Sequence, residues 1–157
     1  MSPDPMLLSG LGAALSLFLC GSAAAVATAH ASMFSIRHQD LLAMVPVVQA
    51  GVLAVYGIII GYLLTKKINA DDEMTIADGY KFLCAGLSVG LACLASGTGM
   101  TLYLKKLNDE EYFFVRKGQA APPKESKKGS FTTFILCLIY LEAIGLYGLI
   151  VALFLVG

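Results

Sequence analysis

The sequence of 157 residues contains no tryptophan, two histidines and little charge: 14% of its residues are Asp, Glu, Lys or Arg, and eleven basic side chains balance eleven acidic ones. A soluble domain is nearer half apolar and about a quarter charged. Here 57% is hydrophobic and the mean hydropathy is +0.76, which excludes an ordinary soluble domain. There is no Gly-x-x-x-x-Gly-Lys-Ser/Thr loop to cradle phosphates, and no Ser/His/Asp or Cys/His set for covalent catalysis. Nothing therefore suggests a catalytic site within the chain, and no cofactor is expected. Cys20, Cys84, Cys93 and Cys137 form no Cys-x-x-Cys pair and have no histidine nearby, so they suggest neither a metal site nor a disulfide framework. They read as small, reduced packing residues. Nothing beyond loop lysines favours nucleic acid, and His30 and His38 are not placed as a metal pair.

What is present is apolar residues gathered into four blocks, at 6–30, 44–65, 80–104 and 131–156. Each approaches the roughly 20 residues with which a helix crosses about 30 Å of hydrocarbon. A closed barrel would need short alternating segments, and there are none. The expected fold is all-α, with four transmembrane helices. Ala25, Ala27 and Ala29 supply small residues of the kind a signal-peptide cleavage site uses, but Ser2-Pro3-Asp4-Pro5 is acidic where a signal is basic, so the first block reads as a retained helix. Arg37 between blocks 1 and 2, with Lys105, Lys106, Arg116, Lys117, Lys124, Lys127 and Lys128 between blocks 3 and 4, makes eight basic residues against Lys66, Lys67 and Lys81 between blocks 2 and 3. The positive-inside rule then puts connections 1–2 and 3–4 in the cytosol and both termini on the lumenal or outer side. The stretch 105–130, with Pro122-Pro123 and Gly129, reads as an exposed loop.

The blocks repeat. Aligning Tyr56-Gly57 with Tyr147-Gly148 lays the second block over the fourth, with Ala54 on Gly145 and Gly61 on Ala152. The first lies over the third with Gly10, Ala14 and Gly21 on Gly86, Gly90 and Gly97. The chain is therefore expected to be two tandem helical hairpins, 1–66 and 80–157, joined by a lumenal connection at 67–79. At 100° per residue Gly86, Gly90, Cys93 and Gly97 form one small-residue stripe, and Gly10, Ala14 and Gly21 a similar one. Such stripes let helices approach closely in lipid. They predict an inner layer made by helices 1 and 3, closed into a ring by further copies of the chain, with the bulkier helices 2 and 4 outside.

Glu142 interrupts this pattern. It is twelfth in a block of 26 residues and near the bilayer midplane, where an ionised acid costs at least about 2.5–3.5 kcal/mol. No Lys or Arg lies at matching depth, so the neutral carboxyl is favoured there. Such a group carries a proton through hydrocarbon and releases it where an outside cation and a water path exist. The plainer alternative is a neutral glutamic acid bonded to a neighbouring helix as packing glue. Candidate partners are the Tyr56 hydroxyl and, less directly, Gln49 and Tyr140.

The stretch Leu-Glu-Ala-Ile-Gly-Leu-Tyr-Gly-Leu-Ile-Val-Ala-Leu at 141–153 closely resembles the last helix of the ring-forming proteolipid family of V-type proton ATPases. Pro-Val-Val-Gln-Ala-Gly-Val-Leu-Ala-Val-Tyr-Gly-Ile-Ile-Ile at 46–60 resembles its second helix, and Gly-Leu-Ser-Val-Gly-Leu-Ala-Cys-Leu-Ala-Ser-Gly at 86–97 its third. The first helix, through Leu-Gly-Ala-Ala-Leu at 11–15 and Gly21, matches more weakly. This resemblance implies a rotor subunit in a homo-oligomeric or mixed proteolipid ring of an acidic endomembrane, vacuolar or lysosomal. It implies Glu142 as proton carrier, Tyr56 as its hydrogen-bond partner, a stator protein (the a subunit) whose arginine displaces each proton, and central-stalk subunits on the cytosolic loops 1–2 and 3–4. Gly145 and Gly148, in step with Ala54 and Gly57, lie on a helix face and are explained by packing.

Departures from the pattern are the short lead before helix 1, the long 3–4 loop, in which only Val-Arg-Lys-Gly-Gln at 115–119 is similar to the family's loop, and Gln49 where the family usually has an apolar residue. Relatives that pump sodium carry threonine and glutamine ligands where Val52 and Leu53 stand here, so protons are favoured over sodium. The alternatives to a rotor subunit are a passive four-helix pore and a proteolipid that sits in the ring without being essential to transport.

Overall fold

The computed structural model describes residues 4–38, 41–70, 74–109 and 131–157. Among the described residues there are four α-helices: α1 (Pro5–His38), α2 (Val45–Ala70), α3 (Ile76–Asp109) and α4 (Phe131–Val156). A single 3-10 turn at Leu41–Met44 leads into α2. All four helices are long and apolar enough to span a membrane. α1 and α3 have 34 residues each and α2 and α4 have 26 each. The 3–4 loop from residue 110 onward, including Arg116, Lys117, Lys124, Lys127 and Lys128, lies outside the described residues.

Local chemistry sets the helix ends. Asp4 precedes Pro5, whose fixed φ suits the first helical position, and the Asp4 carbonyl accepts the Leu7 and Leu8 amides at 3.1 and 3.2 Å. Thr75 caps α3: its Oγ1 accepts the Asp78 amide at 3.3 Å and donates to the Asp78 carboxylate. Arg37 and His38 occupy the last turn of α1, where a cation suits the carbonyl end of the helix.

Three helices run past the apolar blocks read from the sequence: α1 to His38, α2 to Ala70, and α3 from Ile76 to Asp109. The connection expected at 67–79 is thus largely helical. Hydropathy marks where lipid ends, and the helix continues where its polar turns find partners. At one end Arg37 Nη1 donates to the Asn108 carbonyl at 2.6 Å and to Asn108 Oδ1 at 2.8 Å, joining α1 to α3. Phe34 and Phe134 stack there with ring centroids 5.2 Å apart, adding α4.

α1 and α3 run parallel and form the closest seam. A Cβ on Gly86 would lie 2.0 Å from the Gly12 carbonyl oxygen, and one on Gly97 would lie 2.9 Å from that of Ala23. These are backbone-on-backbone contacts, closer than the usual 8–10 Å between helix axes permits with side chains between. Gly86, Gly90 and Gly97 thus lie in the seam, Gly90 facing Leu19. The Gly10, Ala14 and Gly21 stripe of helix 1 faces away from them within the chain. Gly10 and Gly21 have nothing within 4 Å of an added Cβ, and Ala14 is exposed. The face of α1 that meets α3 is Gly12, Ser16, Cys20, Ala23, Ala27 and Ala31, about a third of a turn away. Small residues line two faces of α1, and residue size alone does not distinguish them. α2 packs on α1, and α4 runs antiparallel along α3.

Candidate functional site

Glu142 and Tyr56 sit at equal depth, each the twelfth residue of its 26-residue helix. Both are half-buried, and the carboxyl is an electrostatic neighbour of the phenol. Glycine makes this approach possible. A Cβ on Gly145 would stand 2.9 Å from Leu53 Cδ2 and 3.6 Å from the Tyr56 ring, so any larger residue there would push α2 from α4. One turn on, a Cβ on Gly148 would be 2.2 Å from the Ala92 Cβ, which seats α4 directly on α3. Every Lys and Arg within the four helices lies near a helix end: Arg37, Lys66, Lys67, Lys81, Lys105 and Lys106. Among the described residues the carboxyl thus has no cation at its own depth.

Hydroxyls and thiols tie the helices together around this pair. Ser96, fully buried on α3, donates to the Leu141 carbonyl at 2.6 Å. That oxygen also accepts the regular helical bond, using its second lone pair. Cys93 on α3 points its thiol at the Leu53 carbonyl at 3.7 Å, and the Ser16 hydroxyl on α1 donates to the Ala13 carbonyl of its own helix at 2.8 Å with the Gly57 carbonyl of α2 at 3.4 Å as a second, longer acceptor. Each contact spans two helices within about a turn of Tyr56 or Glu142. In lipid such bonds supply part of the association that hydrophobicity cannot.

Two sequence candidates stand apart. Tyr140 is 67% exposed; two residues before Glu142 in a helix is a rotation of about 200°, so it faces away from the carboxyl. Gln49 lies seven residues before Tyr56 on the same face of α2, but its buried Oε1 has no hydrogen-bond partner among the described residues. Ser96, Ser16 and Cys93 carry no sequence signal of their own. Their only clue is a small polar group at the depth of Glu142, legible once the register of α3 on α4 is known.

Residues 120–155 match the family model for the C subunit of ATP synthase. The chain is 35% identical to the human 16 kDa proteolipid of the V-type proton ATPase, over 96% of this chain and 84% of the relative. It is 34% identical to the 16 kDa proteolipid of the V-type proton ATPase of Nephrops norvegicus, over 92% of this chain and 87% of the relative. It is 33% identical to the c' proteolipid of the V-type proton ATPase of Saccharomyces cerevisiae, over 96% of this chain and 80% of the relative.

Proposed function

Because the chain belongs to the V-type proton ATPase proteolipid family, we propose that it is a rotor subunit that carries protons across the membrane on Glu142 as a ring of proteolipids turns. The observation that supports this most is the placing of Glu142 at mid-helix, level with Tyr56 on α2, with no Lys or Arg at that depth among the described residues. A carrier must hold its proton stably through lipid and still be reachable from outside the subunit. The neutral carboxyl meets the first need, with the Tyr56 phenol beside it. Its half exposure at the α2–α4 edge meets the second: a cation on a neighbouring, non-rotating subunit can approach and displace the proton. That role suits an arginine, whose charge persists in a low-dielectric site.

In this reading copies of the chain, or of the chain with related proteolipids, close into the ring, with α1 and α3 toward the axis and α2 and α4 toward lipid and stator. The ring sits in an acidic endomembrane such as that of vacuoles or lysosomes. Both termini are lumenal. The arginine- and lysine-bearing ends of α1 and α3 face the cytosol, where the central stalk docks. The carried ion is a proton: Val52 and Leu53 bring no oxygen ligand besides backbone, and sodium needs several. Glu142→Gln is the test. It keeps the shape and hydrogen-bonding capacity of the side chain but cannot ionise, so rings should assemble while ATP-driven vesicle acidification is abolished. A mutant ring that still acidifies would contradict the proposal.

A further inference from the structure

Cys20 and Cys93 carry no motif in the sequence, yet the fold brings them together. The α1–α3 seam has a constant register, in which Gly12 faces Gly86 and Ala23 faces Gly97, each pair 74 residues apart. Cys20 and Cys93 lie between these two backbone contacts and are 73 residues apart, so they face one another at the tightest part of the molecule. Both are wholly buried, and the Cys20 thiol points at the Val89 carbonyl on α3 at 3.7 Å, one helical turn before Cys93. A disulfide needs Cα atoms roughly 4.4–6.8 Å apart, and helices that touch backbone to backbone bring facing residues toward that range. The other two cysteines differ: Cys84 is exposed and Cys137 half-buried, on α3 and α4.

The structure assigns Cys20 and Cys93 to an oxidisable dithiol that closes into a disulfide and locks α1 to α3. With hydrogen peroxide, a small neutral oxidant, the chemistry balances. One sulfur attacks a peroxide oxygen and the O–O bond breaks, giving a sulfenic acid and one water. The second thiol then displaces the hydroxyl as another water, forming the S–S bond. Both thiol protons end in water, and peroxide is the species reduced.

Closure has a consequence for the proton site, and this part rests on the rotor reading. Cys93 gives up the S–H that points at the Leu53 carbonyl. Cys20 supports Gly57, where an added Cβ would lie 2.7 Å from the Cys20 Cβ. Leu53 and Gly57 flank Tyr56 on α2. Drawing the sulfurs together therefore moves the segment that holds the partner of Glu142, and transport is lost.

The experiment uses the intact complex in native vesicles. Vesicles are treated with hydrogen peroxide, remaining thiols are blocked with maleimide, and peptides are mapped by mass spectrometry with and without dithiothreitol. The expected result is a reducible Cys20–Cys93 linked peptide, with loss of ATP-driven acidification that dithiothreitol restores. Vesicles carrying Cys20→Ala, which keeps the Cβ against Gly57, should lack that reducible component of the loss. Absence of the linked peptide while Cys84 becomes oxidised overturns the dithiol. A linked peptide accompanied by equal, equally reversible losses in wild type and Cys20→Ala overturns the lock. The peptide map is read without transport, so acidification that proves independent of Glu142 would defeat the rotor reading and leave the dithiol standing.

Discussion

The Ser96 hydroxyl donates a 2.6 Å hydrogen bond to the Leu141 carbonyl, the peptide oxygen immediately before Glu142. This bond fixes α4 against α3 at the residue that bears the acid. Ser96→Ala removes the donor and leaves the carbonyl its helical bond, so no buried group is orphaned. Bonds of this kind in membrane helices contribute about 0.6 kcal/mol and at most about 1.7. Unfolding of the purified chain in detergent should show a loss within that range. A loss several times larger would mean that Ser96 does more than this one bond.

Gly148 and Gly10 have opposite surroundings. At Gly148 a Cβ meets Ala92 at 2.2 Å, and at Gly10 it meets nothing within 4 Å. Gly148→Ala should therefore destabilise the isolated chain by about 1–3 kcal/mol, whereas Gly10→Ala should stay within about 0.5 kcal/mol of wild type. Thermal unfolding of the two variants in the same detergent compares them directly, and equal effects would refute the seam described for α3 and α4.

Gln49 places one buried oxygen without a partner among the described residues. Replacing such a group by an apolar one of similar size relieves a desolvation cost of about 1–3 kcal/mol. Gln49→Leu should accordingly be neutral or stabilising on unfolding, and vesicles carrying it should still acidify. Loss of acidification with unchanged stability would return Gln49 to the carboxyl's set of partners.

Much of this was legible from residue order alone. The four spans follow from apolar block length, and the doubled hairpin from the recurring Tyr-Gly step. The placing of Glu142 at mid-helix without a cation at its depth follows from the same order. Faces and ends were harder. Gly10, Ala14 and Gly21 make as good a stripe as Gly12, Ala23 and Ala27 do, because on an alanine-rich helix residue size marks two faces and only the partner's shape selects one. Hydropathy stopped α1 near residue 30, but Phe34 stacking and the Arg37–Asn108 bond carry it to His38. Tyr140 matched Glu142 in depth but not in direction, a distinction that needs the helix phase. Ser96 and the Cys20–Cys93 contact depend on how α3 sits against α4 and α1, and no local pattern encodes that register.

Tyr56→Phe removes the phenolic hydroxyl beside Glu142 and keeps the ring against Gly145. Rings should assemble normally, because the packing surface is unchanged, while the rate of ATP-driven acidification should fall without reaching zero. Native electrophoresis of the ring alongside a fluorescence assay of vesicle pH separates the two effects. An unchanged rate would remove Tyr56 from the carrier's mechanism.

The central claim is that Glu142 crosses the membrane as a neutral acid, and a hydrophobic carbodiimide measures this most directly because it reacts with a protonated carboxyl in lipid. Mass spectrometry of labelled complex, run together with vesicle acidification, should find Glu142 as the modified acid and pumping lost in proportion to labelling. Full modification of Glu142 with acidification intact would contradict the account.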